Sequence, residues 1–229
     1  MSIFVIGDLH LSLSVDKPMD VFGPHWANHH EKIKSHWIEM IKDDDLVLIA
    51  GDISWAMNLD EAMVDLEWIH KLPGKKVLVR GNHDYWWASI TKMNKLFDDM
   101  VFLQNDSFMY ENIAICGTRG WLCPNENKFT EKDKKVYERE LKRLELSLDS
   151  AIKKDCENII AMSHYPPTND KLEPSGFTQI YEKYNIKKVV YGHLHGKESF
   201  EVGLQGVYNG VEYYLTSSDY LEFKPLKIL

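Results

Sequence analysis

An α/β fold built on a mixed sheet is what the order of elements predicts, and three observations carry it. Short, β-branched-rich apolar runs recur five times, each ending in a small residue or a turn. Stretches with apolar residues at helical spacing lie between them. Past His195 the pattern turns to β around Asn209-Gly210, a strong two-residue hairpin signal. Helix-linked strands followed by a hairpin call for parallel and antiparallel pairing, and they leave room for a second sheet packed on the first. The 229 residues are read as one domain with a full core.

Taken in order, the apolar runs are Ile3–Ile6, Leu46–Ala50, Lys76–Val79, Ile159–Met162 and Lys188–Tyr191. A helix is predicted over 28–42, where Ile33, Trp37 and Ile41 share a face. A second, over 59–71, carries Leu59, Met63, Leu66 and Ile69, with Asp60 and Glu61 suited to its positive N-terminal end. A third, long and highly charged, is predicted over 131–154 on Leu141, Leu144, Leu148 and Ile152. Strands are predicted at Ser199–Tyr208 and Val211–Thr216.

Charge narrows the function. With 27 Lys+Arg against 35 Asp+Glu, the net charge is −8, which argues against a nucleic-acid coat protein or a binder of anionic membranes. The three cysteines, Cys116, Cys123 and Cys156, form no C-x-x-C pair and suggest neither a disulfide framework nor a cysteine zinc site. Residues 1–8 are apolar but short and lack a basic lead-in, so neither a signal peptide nor a membrane span is expected, and a cytoplasmic location is.

The five strand ends carry the chemistry. Asp8 and His10 follow the first run, Asp52 the second, Asn82 the third, His164 the fourth, and His193 and His195 the fifth. Ligands of α/β sheets gather at the carboxyl ends of strands, so these turns are expected to share one edge. Two carboxylates, one amide and four imidazoles suit Mn, Fe or Zn better than Ca or Mg. One carboxylate can bridge two cations, and His193 and His195 could serve different ones.

In order, these motifs read D-x-H (Asp8, His10), G-D (Gly51-Asp52), G-N-H-D (Gly81–Asp84), a His before Tyr-Pro-Pro (His164) and G-H-x-H (Gly192–His195). The set spans most of the chain and resembles the calcineurin-like metallophosphoesterase superfamily. The resemblance implies a four-layer αββα sandwich and two metal ions. Asp8, His10 and His195 would hold one ion, Asn82, His164 and His193 the other, and Asp52 would bridge them. His83 would face the substrate, stabilising the transition state or protonating the leaving oxygen. A hydroxide between the ions would attack in line, and the substrate would be a small phosphate ester.

Other residues are read around that frame. Asp84 either orients His83 or caps a helix starting near Tyr85. Trp55, Trp86 and Trp87 follow ligand turns and are expected to wall the cleft. His25, His29 and His30 suggest a substrate-side loop, with His29 as the candidate contact. Arg119 either forks onto phosphate or joins a surface ion pair. Residues 118–130 are a candidate lid. Ser/Thr protein phosphatases of the superfamily carry G-D-x-x-D-R-G, whereas this chain reads Gly51-Asp52-Ile53-Ser54-Trp55-Ala56, so a small prokaryotic-type phosphoesterase fits better. The alternatives are a metallonuclease, which would need a basic groove, and a silent scaffold, which would have lost ligands.

Overall fold

Strand residues in this chain alternate between two apolar destinations, and that alternation sets the layers. The computed structural model describes residues 1–126 and 129–229. In chain order its elements are β1 (Ile3–Ile6), α1 (His29–Met40), β2 (Leu46–Ile49), α2 (Leu59–His70), β3 (Lys75–Leu78), α3 (Ile90–Met93), β4 (Met100–Phe102), β5 (Ser107–Tyr110) and β6 (Ile113–Thr118). There follow α4 (Glu131–Lys153), β7 (Ile159–Ser163), α5 (Gly176–Lys183), β8 (Lys188–Tyr191), α6 (Lys197–Glu201), β9 (Gly206–Tyr208), β10 (Val211–Leu215) and β11 (Leu226–Lys227). Two single-turn 3₁₀ helices, Met19–Phe22 and Pro24–Trp26, precede α1.

Two mixed sheets result. One has the order β11-β1-β2-β3-β4, parallel except for the edge strand β11. The other runs β5-β6-β7-β8-β10-β9, antiparallel at both ends and parallel between. In β1, Ile3 and Val5 join Leu46, Leu48, Ile115 and Met162 in the layer between the sheets. Phe4 and Ile6 face the other way, onto Ile33 and Trp37 of α1 and Leu66 of α2. The second sheet sends Cys116, Ala161 and Tyr191 outward onto Leu144 and Leu148 of α4 and Tyr181 of α5. The fold is therefore helices, sheet, sheet, helices, as expected.

Helix ends follow their sequence signals. Asn58 caps α2 through Glu61 N–H, and Thr130 with Asp133 forms a reciprocal capping box on α4. Asn209 and Gly210 both take positive φ, 49° and 79°, as a two-residue hairpin turn between β9 and β10 requires. The strand expected from Ser199 begins only at Gly206, because Lys197–Glu201 coil into α6 before it.

The five ligand-bearing runs divide between the sheets, three in the first (β1, β2, β3) and two in the second (β7, β8). Gly7 stitches the sheets together at this end. Its N–H donates to Thr216 O at 2.6 Å, and its carbonyl accepts from Ser218 N–H and Ser218 Oγ. The candidate lid at 118–130 includes residues 127 and 128, which lie outside the described residues. No helix among the described residues is long and apolar enough to cross a membrane.

Candidate metal centre

After its strand, the chain turns back sharply at four of the seven candidate ligands. Asp8, His10, Asp52 and His193 take positive φ (54°, 45°, 50° and 74°), a region that costs an ordinary residue about 1–3 kcal/mol. Such turns aim side chains along the strand direction, out over the sheet edge. Two glycines permit the crowding. A Cβ at Gly81 would collide with Asp52 N and Oδ1, and one at Gly192 with Asp8 Oδ2. The G-N-H-D and G-H-x-H motifs thus begin with glycine because a carboxylate occupies the space.

Five of the seven fall into two groups that share Asp8. Asp8, His10 and His195 come together as one, and Asp8, Asp52 and His164 as another. His10 Nε2 faces His195 Nε2 at 3.2 Å, and His195 Nε2 lies 3.6 Å from Asp8 Oδ1. His164 Nε2 lies 2.7 Å from Asn82 Oδ1, 3.1 Å from His193 Nδ1 and 3.6 Å from Asp52 Oδ2. Asp52 Oδ2 is also 3.8 Å from His10 Nε2, so this one oxygen stands between the two groups. Asp52 Oδ1 accepts from His83 N–H, and both Asp8 oxygens accept from His193 N–H.

Proton bookkeeping shows what this arrangement wants. His164 Nδ1 faces the carbonyl of Ala50 at 3.0 Å, so it carries the ring proton and donates it. Nε2 then presents a lone pair, yet its neighbours Asn82 Oδ1 and Asp52 Oδ2 are also acceptors. Acceptors converging on acceptors repel unless a proton or a cation lies among them. The donor set therefore fits a metal of the Mn, Fe or Zn kind.

Electrostatics agree. Burial, with the Asp8 charge beside it, pushes the Asp52 carboxyl up to about 8. Burial holds His10 and His164 below the ordinary imidazole range, and burial with His164 alongside takes His193 down to about 3. Neutral imidazoles are what metals bind. His195 differs: against burial, its bonds to Asp219 and Asp8 raise it to about 10. Burial would raise Asp8 too, but His195 and the other imidazoles keep it well below the carboxylate range.

His83 is half-buried, with Nε2 3.9 Å from Asp52 Oδ2. It shares a cavity with His10, His195 and Trp55, and Trp55 stacks on His10 with centroids 4.9 Å apart. That cavity, about 710 Å³, is walled by Met19, Phe22, His25 and Trp26. On the His193 side lies another of about 740 Å³, lined by Leu122, Tyr165, Pro166 and Leu194.

Several expectations around the ligands change. Trp86 does not wall the cleft; it is buried against Trp87 and Phe102, and its Nε1–H donates to Asp84. His29, first residue of α1, is buried beneath the site and pairs with the carbonyl of Leu9 at 3.0 Å. Asp84 caps no helix, since α3 starts only at Ile90. Its carboxylate accepts from Ile53, Ser54 and Gly81 N–H, tying the Asp52 turn to the Asn82 turn. Arg119 lies in a cavity that contains none of the seven ligands and faces Glu140 at 3.8 Å. Asp219 is a residue that motif reading passes over. Its Oδ1 accepts from His195 Nδ1 at 2.9 Å, orienting the ring as an outer partner of a metal ligand does. It follows β10 as the candidate ligands follow their strands, which is the signal that could have found it.

A profile of calcineurin-like phosphoesterases matches residues 1–197. The chain belongs to this family. It is similar to a probable cyclic nucleotide phosphodiesterase of Coxiella burnetii, 25% identical over 175 residues. That alignment covers 69% of this chain and 63% of the Coxiella protein. It is also 25% identical to the gene 66 protein of Mycobacterium phage D29, over 86% of this chain and 79% of that one. The fold matches a phosphopantetheinyl hydrolase of Mycobacterium tuberculosis with TM-score 0.58 at 13% identity, covering 100% of this chain and 95% of that one. A protein of unknown function from Aquifex aeolicus gives 0.52 at 17%, over 99% and 95%. The family match and the candidate metal-binding groups at the strand ends coincide in the same part of the chain.

Proposed function

We propose that this chain hydrolyses a phosphodiester at two metal ions. Asp8, His10 and His195 would hold one ion, Asn82, His164 and His193 the other, and Asp52 would contribute to both. The observation that carries this reading is the position of Asp52 Oδ2, 3.8 Å from His10 Nε2 and 3.6 Å from His164 Nε2, between the two groups of donor atoms. Two cations bound there would polarise a phosphoryl oxygen and lower the pKa of a water poised for in-line attack.

The chain's own residues do the rest. Asp219 fixes the His195 ring, and Ala50 fixes the His164 tautomer, so each offers a lone pair in a set direction. Asp84 keeps the Asp52 and Asn82 turns in register. His83, facing the cavity, donates a hydrogen bond or proton to the leaving oxygen. Trp55 and Trp26 wall the His10 side and exclude water there.

The preference for a diester is supported by the two cavities. A diester carries an organic group on each side of phosphorus, and partly apolar cavities flank the ligands on the His10 side and the His193 side. The similarity to the probable cyclic nucleotide phosphodiesterase of Coxiella points the same way.

The test is hydrolysis of a chromogenic phosphodiester and its matching monoester by Mn²⁺-loaded protein. Diester turnover should exceed monoester turnover, and His83→Ala should lower kcat by roughly 10²–10⁴ with both ions retained, the usual worth of a positioned acid or base. A variant with full activity would remove His83 from the mechanism. Equal or better use of the monoester would overturn the diester reading.

A further inference from the structure

We propose that the four arginines of this chain form a second anion site, separate from the metal centre, that takes a compact phosphate-bearing anion. The chain has 27 Lys+Arg residues, of which only Arg80, Arg119, Arg139 and Arg143 are arginines. All four line one cavity of about 620 Å³, and no lysine lines it among the described residues. They arrive from three places: Arg80 just past β3, Arg119 just past β6, and Arg139 and Arg143 one turn apart on α4. A side chain otherwise absent from the protein is concentrated where its planar fork can be shared. That fork matches two oxygens of a phosphate, which the point charge of lysine does not.

The charge balance is not that of a structural ion pair. Glu140, fully buried, is the one carboxylate among the described residues that line the cavity. Its Oε1 faces Arg143 Nη1 at 2.9 Å, Arg139 Nε at 3.6 Å and Arg119 Nη2 at 3.8 Å, while Oε2 accepts from Thr118 Oγ1. One carboxylate thus stands against four guanidiniums, three positive charges in excess within a chain of net charge −8. Arg119 Nε is buried without a hydrogen-bond partner, a donor still to be satisfied. A bound oxyanion would supply the missing acceptors and the missing charge.

The site also touches the metal centre through backbone. The carbonyl of Arg119 accepts from His164 N–H and Tyr165 N–H, and Arg80 lies two residues before Asn82. Anion binding itself does not depend on which ester the metal centre cleaves.

Because every arginine of the chain lies here, an arginine-selective reagent reads this cavity alone. Metal-loaded full-length chain would be treated with phenylglyoxal in inorganic phosphate or in chloride of equal ionic strength, and each arginine followed by mass spectrometry. Phosphate should slow modification of Arg139 and Arg143 by roughly fivefold or more, as expected when guanidinium forks are occupied. Arg139 is largely exposed, so Arg139→Gln leaves the fold intact; it should raise the phosphate concentration that half-protects Arg143 by about tenfold. Equal rates in phosphate and chloride would overturn the proposal, as would an unchanged midpoint in Arg139→Gln. Protection that disappears in Asp52→Asn would trace the phosphate to the metal centre and overturn it as well. None of these readouts requires ester hydrolysis.

Discussion

Two charged clusters of this molecule are built on opposite terms. At the strand ends, metal-capable atoms converge: His164 Nε2 has Asn82 Oδ1 and Asp52 Oδ2 beside it. Beside α4, N–H groups converge on a single carboxylate that Arg119, Arg139 and Arg143 must share. The first cluster is short of positive charge and the second of negative charge. Their surroundings differ accordingly. Asp8, His164 and Asp52 are almost wholly buried, where unpaired charge is most costly. Arg139 stays largely exposed, where excess charge is tolerable. The first cluster is buried at Asp8, Asp52 and His164, whereas the second joins a buried Glu140 to an exposed Arg139.

The largest effect should come from Asp52→Asn. Loss of the oxygen that stands between both groups should weaken each ion by more than the roughly 10–100-fold that an outer partner is worth. Elemental analysis still showing two tightly held ions would break the symmetry assigned to Asp52. Next comes Glu140→Gln, which removes the carboxylate that three arginines share. Breaking a buried pair from one side costs about 3 kcal/mol or more, visible as a lower urea midpoint. An unchanged midpoint would mean the guanidiniums gain nothing from Glu140.

Asp219→Asn tests the outer tier of the metal cluster. It should lower affinity for the ion at His195 by roughly 10–100-fold while sparing the other. Equal weakening of both ions would show that the two groups act as one unit. The smallest effect is expected far from both clusters. Asp99 accepts from Lys76 Nζ and faces His70 Nδ1, each at 2.6 Å, and these bonds hold its carboxyl below the ordinary value although burial opposes them. A depressed carboxyl stabilises the fold above its unfolded value, about pH 4, and that contribution fades as pH falls through the folded value. For this partly exposed pair it amounts to roughly 0.5–1 kcal/mol. Asp99→Asn should therefore narrow the stability difference between pH 6 and pH 3 by about that much.

What the sequence made legible follows from where each signal lies. Each ligand sits within a few residues of its strand, so Gly51-Asp52 and Gly192–His195 can be read locally, glycine included. The layering was legible for the same reason, since β1 alternates Ile3 and Val5 inward with Phe4 and Ile6 outward. Residues whose role depends on a distant partner were not. Trp86 looks like a cleft wall until Phe102 and Asp84 are seen to enclose it. Arg119 follows a strand like a ligand, but Glu140 on α4 claims it. The start of the hairpin failed for a local reason: nothing in the apolar pattern of Ser199–Tyr208 separates the turn of helix at Lys197–Glu201 from a strand.

The division of the ligands between two sheets has a mechanical meaning. His10 and His195 are 185 residues apart in sequence and belong to opposite sheets, as do Asp52 and His164. An ion held by either pair would be a cross-link between the two halves of the chain, closing a loop of the kind that a disulfide closes elsewhere. The three cysteines are all buried and free, so no covalent staple competes for that part. An ion released on unfolding would stabilise the fold by its own binding free energy, about 2.7 kcal/mol at a hundredfold excess over Kd. The ions that would equip this protein for chemistry would thus also fasten its sandwich shut, at the end where Gly7 already begins the seam.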